Sequence, residues 1–332
     1  MGCLKRGRSA HVRTWMLAPL VGIVMAMGTS SPALADPAGS IWTIPTQPGP
    51  VQSVHGFAIT YEKQNQDAAP LGANDFGCVP SEDHPRPVVL VHGTDSSAYS
   101  DYAALSPQLA DAGFCVFALN FGRDPAKTTY GTEDLRTSAA QLGQFVELVL
   151  DSTGAPNIDI VGYSQGATVA RYFINKLGGA DVVNRWVGIA SPSHGGNFYG
   201  LGSAAAAIPG AVDMLTPVLT PAVVQQIQGS EFLADLNSGG DTVPGVDYVT
   251  IGSRIDEMIQ PVAGIALSGP NTTNLFIQDL CPVNFTGHFQ LPYDPFTLAL
   301  VITALDPAAA QTPSCVPVAP GTGIPEVIAA SH

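Results

Sequence analysis

Five residues, Gly162-Tyr163-Ser164-Gln165-Gly166, constrain the fold of this chain more than any other stretch. Before them runs a short, β-branched segment, Asn157-Ile158-Asp159-Ile160-Val161. After them Ala167-Thr168-Val169-Ala170-Arg171-Tyr172-Phe173 reads as helix. A G-x-S-x-G pattern at a strand-to-helix joint predicts a tight, strained turn with serine at its tip. The glycines two places either side let strand and helix approach closely. Taken alone, the pentapeptide also fits an ordinary glycine-rich turn. The two readings separate on whether a base, an acid and oxyanion donors stand where a serine nucleophile needs them.

The flanking chain reads as the scaffold such a turn requires. Pro87-Val88-Val89-Leu90-Val91 is an apolar strand run ending at His92-Gly93-Thr94. Ser100 to Ala112 is predicted helical, with Gly113 as a stop and Pro107 as a candidate break. Phe114 to Leu119 is a second strand. Thr132 to Ser152 carries the stripe Leu135, Ala139, Leu142, Phe145, Val146 and Val149, with Glu133 and Asp134 in its first turn. Arg185 to Ala190 is another strand. Strands alternating with helices predict a mostly parallel sheet covered on both faces. The rhythm breaks over 195–245, a Gly-, Ala- and Pro-rich insertion expected to form a cap or lid over the serine. Its apolar groups are Ala204 to Ile208, Ala211-Val212, Met214-Leu215, Val218-Leu219 and Val223-Val224. Strand character returns at Val246–Ile251 and Asn274–Ile277, and Pro295 to Leu305 is the last helix. Residues 36–85 offer no long periodic element.

The first 35 residues read as a leader rather than as fold. Lys5, Arg6, Arg8 and Arg13 precede an apolar segment from Trp15 to Met27, and Ala33-Leu34-Ala35 is an A-x-A cleavage signal. The apolar segment is short for a membrane span, and no later run matches it without Gly, Pro or charge. The expected mature chain is therefore secreted, without an integral membrane segment. Loss of the leader leaves 9 Lys and Arg against 27 Asp and Glu, a net charge near −18. That balance, with no basic cluster, argues against nucleic acid as a partner, because phosphate binding needs cationic side chains. Four cysteines remain: Cys78, Cys115, Cys281 and Cys315. In an exported chain they read as two disulfides, with three connectivities open. No C-x-x-C or Cys/His cluster points to zinc, and no metal or organic cofactor is expected.

A serine hydroxyl becomes a useful nucleophile when a base takes its proton, and a carboxylate fixes that base's tautomer. Where the serine tops a parallel sheet, acid and then histidine follow on loops after later strands. Three histidines come after Ser164. His332 ends a Pro- and Ala-rich tail, and His194 follows the strand directly after the serine's helix. His288, in Phe285-Thr286-Gly287-His288-Phe289, follows the last strand and is the expected base. Asp256 ends the 246–251 strand and is the expected acid. Asp247 begins that strand, Asp279 lies too near the histidine loop, and Glu257 is expected to point away as a surface or capping residue. The oxyanion donors are expected at Gln165, whose N–H opens the helix, and at Thr94, after the strand ending at Val91. His92 is read as orienting that loop.

These segments resemble secreted bacterial class 2 triacylglycerol lipases of the α/β-hydrolase superfamily. The resemblance is carried by PVVLVHGT, GFCVFALNFG, GYSQG, QGSEFLADLN, DEMIQP and the late GHF, and runs from about residue 75 to 315. It implies an α/β-hydrolase domain over 86–315, with a cap or lid insertion at 195–245 and a tail at 316–332. It implies a catalytic set of Ser164, Asp256 and His288, with Thr94 and Gln165 as oxyanion donors. It also pairs Cys78 with Cys115 and Cys281 with Cys315. The implied activity is hydrolysis of lipid or long-chain esters through an acyl-serine, at a lipid–water interface. GYSQG resembles the cutinase turn as well, so a polyester hydrolase or an acyltransferase on the same residues is the enzyme alternative. A catalytically silent surface-binding protein on this fold is the non-enzyme alternative.

Overall fold

The computed structural model describes residues 39–197, 219–309 and 313–331, with Gly2 and the pair Leu34–Ala35. Its strands are β1 (Leu34–Ala35), β2 (Ile41–Thr43), β3 (Gln47–Pro48), β4 (Ala68–Ala69), β5 (Val88–Val91), β6 (Val116–Arg123), β7 (Ile158–Tyr163), β8 (Val183–Ile189), β9 (Asp247–Gly252) and β10 (Thr272–Phe276). The main sheet has the order β1-β2-β6-β5-β7-β8-β9-β10, parallel from β6 to β10. β2 joins β6 antiparallel, and β1 pairs antiparallel with β2.

Alternation along each strand splits the core into two layers. Val89 and Val91 of β5, with Phe117, Leu119 and Phe121 of β6, face one side. Val88 and Leu90, with Val116 and Ala118, face the other. Both faces are covered, which is why these strands read as continuous apolar runs. The first layer receives α4 (Leu135–Thr153) and α5 (Gln165–Lys176); the second receives α2 (Ala98–Tyr102), α3 (Leu105–Asp111) and α9 (Pro295–Leu305). The expected helix over Ser100 to Ala112 is two helices, broken at Ala103-Ala104 and not at Pro107, which sits in the first turn of α3. Such a position tolerates proline, because the first N–H groups of a helix have no intrahelical partner. Asp134 lies one place before α4 as its cap, accepting the N–H groups of Arg136 (2.8 Å) and Thr137 (3.0 Å).

Residues 36–85 contain a helix absent from the sequence reading, α1 (His55–Gln64). Its buried residues are His55, Gly56, Ala58 and Glu62, so it has no apolar stripe. Much of its packing is against α10 (Ile324–Ala330), near the chain's end. In the insertion, Ala204 to Ile208, Ala211-Val212, Met214-Leu215 and Val218 lie outside the described residues. Its later part forms α6 (Pro221–Gln225) and α7 (Glu231–Leu236), fixed on the helical layer. There Phe232 stacks on Tyr172, whose hydroxyl donates to Asp235 (3.0 Å). The remaining helix, α8 (Ile277–Leu280), follows β10 directly.

Cys78 bonds Cys115 and Cys281 bonds Cys315, the pairing that the resemblance implies. The bonds close loops of 37 and 34 residues, so replacing either pair by serines is expected to cost about 2–4 kcal/mol. Urea unfolding checks this, and a cost under about 1 kcal/mol for either pair contradicts it. Among the described residues no helix is long and apolar enough to cross a membrane. The expected leader, 1–35, is described only at Gly2, Leu34 and Ala35. A mature chain beginning at Asp36 would lack β1 and leave β2 at the sheet edge.

Candidate active site

From β5 the chain crosses to β6 on one side, then returns to β7 on the other and continues outward to β10. Parallel sheets bind ligands at such a reversal, in the crevice beyond the carboxyl ends of the strands. There β7 delivers Ser164 with φ 50° and ψ −122°, a left-handed conformation strained for any residue with a Cβ. The glycines permit the turn. A Cβ on Gly162 would stand 2.4 Å from the Ala167 Cα, and one on Gly166 would stand 1.9 Å from the Val91 carbonyl oxygen.

The loops after β9 and β10 bring Asp256 and His288 to this serine. His288 Nε2 lies 3.1 Å from Ser164 Oγ, and His288 Nδ1 lies 2.8 Å from Asp256 Oδ2. An ionised carboxylate only accepts, so Nδ1 carries the proton and Nε2 presents its lone pair to the serine hydroxyl. Asp256 Oδ1 is occupied by the N–H groups of Met258 (2.9 Å) and Ile259 (2.7 Å), which fixes the carboxylate. Asp256 is fully buried and His288 nearly so, while Ser164 opens onto a cavity of about 450 Å³.

Thr94 lines the same cavity, and Gln165 follows Ser164 at the start of α5. Among the described residues the backbone N–H of neither donates a hydrogen bond. Their side chains meet: the Thr94 hydroxyl donates to Gln165 Oε1 (2.7 Å). Gln226, just past α6, donates to Thr94 Oγ1 (3.0 Å) and to Gln165 Oε1 (2.9 Å). His92 orients the loop, as expected. Its Nδ1–H donates to the Gly93 carbonyl (2.8 Å), and its Nε2 accepts the Phe121 N–H (3.1 Å). Complete burial, only partly offset by the charge of Asp101, pushes this imidazole down to about 4 and keeps it neutral.

The other candidates lie elsewhere. His194 pairs with Asp241 (3.3 Å), Asp247 with Arg185 (3.1 Å) and Asp279 with Arg254 (2.6 Å). His332 lies outside the described residues. Glu257 is a correction. It does not point away: its Oε2 accepts the His288 backbone N–H at 2.9 Å. Residues 256–257 belong to the loop beyond β9, where the alternation of a strand does not set side-chain direction. Among the described residues no group of three or more His, Cys, Asp or Glu side chains could hold a metal ion.

A sequence model of the class 2 lipases matches residues 85–291, more than half of the chain, including Thr94, Ser164, Gln165, Asp256 and His288. The chain belongs to the class 2 lipase family. Its fold is that of lipases whose structures are solved. Aspergillus fumigatus lipase B aligns at 21% identity with a TM-score of 0.55, covering 76% of this chain and 63% of that one. The mature form of Bacillus licheniformis lipase BlEst2 aligns at 18% identity with a TM-score of 0.50, covering 68% of this chain and 94% of that one. At such identities the likeness concerns the fold. The chain spans slightly less than two thirds of the length of the Aspergillus lipase.

In this member of the family, burial disfavours charge on His288. The charge and hydrogen bond of Asp256 outweigh it, aided by the charges of Glu257 and Asp101, and hold the imidazole above its ordinary 6.5. Three further side chains at the site had no signal in the sequence. Asp101 and His55 form a buried pair (2.9 Å), and Glu62 lines the cavity, pushed up to about 7 by burial and then by Asp101. His55 and Glu62 come from α1, some hundred residues before the serine turn, in a segment without periodicity.

Proposed function

We propose that this chain is a secreted serine hydrolase that cleaves lipid esters, triacylglycerols or long-chain acyl esters, through an acyl-serine intermediate. Ser164 Oγ attacks the ester carbonyl as His288 Nε2 takes its proton. Asp256 holds the imidazole in the accepting tautomer and stabilises the imidazolium that forms. The oxyanion is met by the backbone N–H groups of Thr94 and Gln165. Collapse expels the alcohol, protonated by His288. Water, deprotonated by the same nitrogen, then releases the acid. The observation that carries this reading is the unbroken chain Ser164–His288–Asp256, at 3.1 and 2.8 Å. Family membership supports the ester-hydrolase class, and two disulfides fit an oxidising compartment.

The test is labelling by a fluorophosphonate, which requires an activated serine, together with hydrolysis of p-nitrophenyl esters of increasing chain length and of emulsified triglyceride. The expected result is one label per chain, on Ser164, and turnover of the long esters and the emulsion. An unlabelled chain would point to the silent binding protein instead.

The pH profile follows from His288. The reacting form is the neutral base, and its neighbours hold its pKa above 6.5, so kcat/KM is expected to fall as pH drops through a value above 6.5. Glu257→Gln keeps an acceptor for the His288 N–H but removes a charge, and should move this limb to lower pH. A limb below 6.5, or one that Glu257→Gln leaves in place, contradicts the assignment.

A further inference from the structure

We propose that His55 and Asp101 are a positioning pair that aims the oxyanion loop at Ser164 by tying it to the loop that carries His288. The inference rests on the ester-hydrolase reading and adds to it two residues that do not touch the reacting atoms.

Asp101, in α2, is fully buried. Its Oδ2 accepts the Gly93 N–H at 2.6 Å. Its Oδ1 accepts the Ser96 hydroxyl at 2.7 Å and His55 Nε2–H at 2.9 Å. One carboxylate therefore grips the loop one residue before Thr94 and two residues after it. Between those grips Asp95 has φ 52°, a conformation that persists only where its surroundings over-determine it. The direction of the Thr94 N–H is thus set from both sides by Asp101.

His55 links this grip to the other half of the site. Its Nδ1 lies 2.7 Å from the carbonyl oxygen of Phe289, the residue after His288. A carbonyl and an ionised carboxylate both only accept, so the two bonds form together when each ring nitrogen carries a proton. The ring stacks on Tyr293 (5.5 Å between centroids) and meets Tyr163 edge-on (6.1 Å). Tyr163 itself donates to the His288 carbonyl at 3.0 Å. Burial opposes the charge on Asp101, but the His55 hydrogen bond and charge, with the Gly93 N–H, hold its carboxyl below the usual carboxylate range. The tie is therefore continuous: Gly93, Asp101, His55, then Phe289 beside His288. Two loops whose relative placement decides catalysis are held by one buried pair, half of which comes from α1.

The experiment measures kcat and KM on a p-nitrophenyl ester in the full-length chain, per site titrated by fluorophosphonate. In parallel it measures inhibition by a trifluoromethyl ketone, which forms a tetrahedral oxyanion on the serine. For Asp101→Asn, kcat is expected to fall about 10- to 100-fold with KM within about threefold, less than or equal to the loss of an oxyanion donor outright. Ketone affinity should fall by the same factor as kcat/KM. His55→Ala should behave likewise, and His55→Gln, which keeps a donor for Asp101, should recover most of the loss. Ser96→Ala removes the mildest tie and should lower kcat by roughly threefold to tenfold even if Asp101→Asn does not fold. Wild-type kcat per titrated site in Ser96→Ala and His55→Ala, with only the number of sites or Tm reduced, overturns the proposal. A wild-type chain that is not labelled and hydrolyses no ester overturns the hydrolase reading and this inference with it. A labelled, active wild type with unaffected variants overturns this inference alone.

Discussion

Ser164→Ala is expected to lower kcat/KM for ester hydrolysis by about 10³- to 10⁶-fold. Among the described residues Ser164 is the serine held at 3.1 Å from His288, at the tip of a strained turn and open to the cavity. Alanine has the same Cβ and meets the same backbone, so Tm and far-UV circular dichroism should stay near wild type. His288→Ala should cost about as much, and the double variant little more, because nucleophile and base act as one unit. Activity within tenfold of wild type in Ser164→Ala would remove the serine from the mechanism.

Gly166→Ala is expected to be among the most damaging single-methyl changes in the chain. The new Cβ would stand 1.9 Å from the Val91 carbonyl oxygen and 2.4 Å from that of His92. Both are backbone atoms of β5 and the loop after it, and no flexible side chain stands between that could yield. Either α5 lifts from β5 or the oxyanion loop shifts, and a loss of at least about 3 kcal/mol follows, together with activity. Gly143→Ala, within α4, is the contrast. Its nearest neighbours are ring carbons of Phe173, the closest at 3.2 Å, and alanine is the better helix former by about 1 kcal/mol. That variant should be near neutral. Urea midpoints for the two should differ widely, and equal midpoints would mean that the close approach at Gly166 is not real.

The buried sheet and the residues brought to Ser164 were largely legible in the chain. Strands covered on both faces leave unbroken apolar runs, so β5 and β7 stood out. Pro295 to Leu305 is a helix with the bounds expected of it. Asp256 and His288 were found because chain order alone restricts where an acid and a base can reach a serine above a parallel sheet. The misses share a cause. α1 buries glycine, alanine, a histidine and a glutamate, so it left no periodic signal. Asp101 and His55 are 46 positions apart and look like ordinary surface residues until the fold joins them. Glu257 lies in the loop beyond β9, where no strand or helix period sets the direction of a side chain. Local pattern shows elements that bury apolar surface; polar contacts between distant loops leave no such trace.

The cavity wall that faces Ser164 includes Ile59 and Glu62 from α1, and Val327 and Ser331 at α10. Lys63 donates to the Ala330 carbonyl, so the two helices are latched to each other as well as packed. Both helices lie outside residues 85–291, the stretch shared with the family. Ser164, Asp256 and His288 and part of the cavity wall thus come from different regions of the chain. Exchanging the terminal helices would therefore change the cavity wall and, because His55 belongs to α1, the buried pair with Asp101 as well.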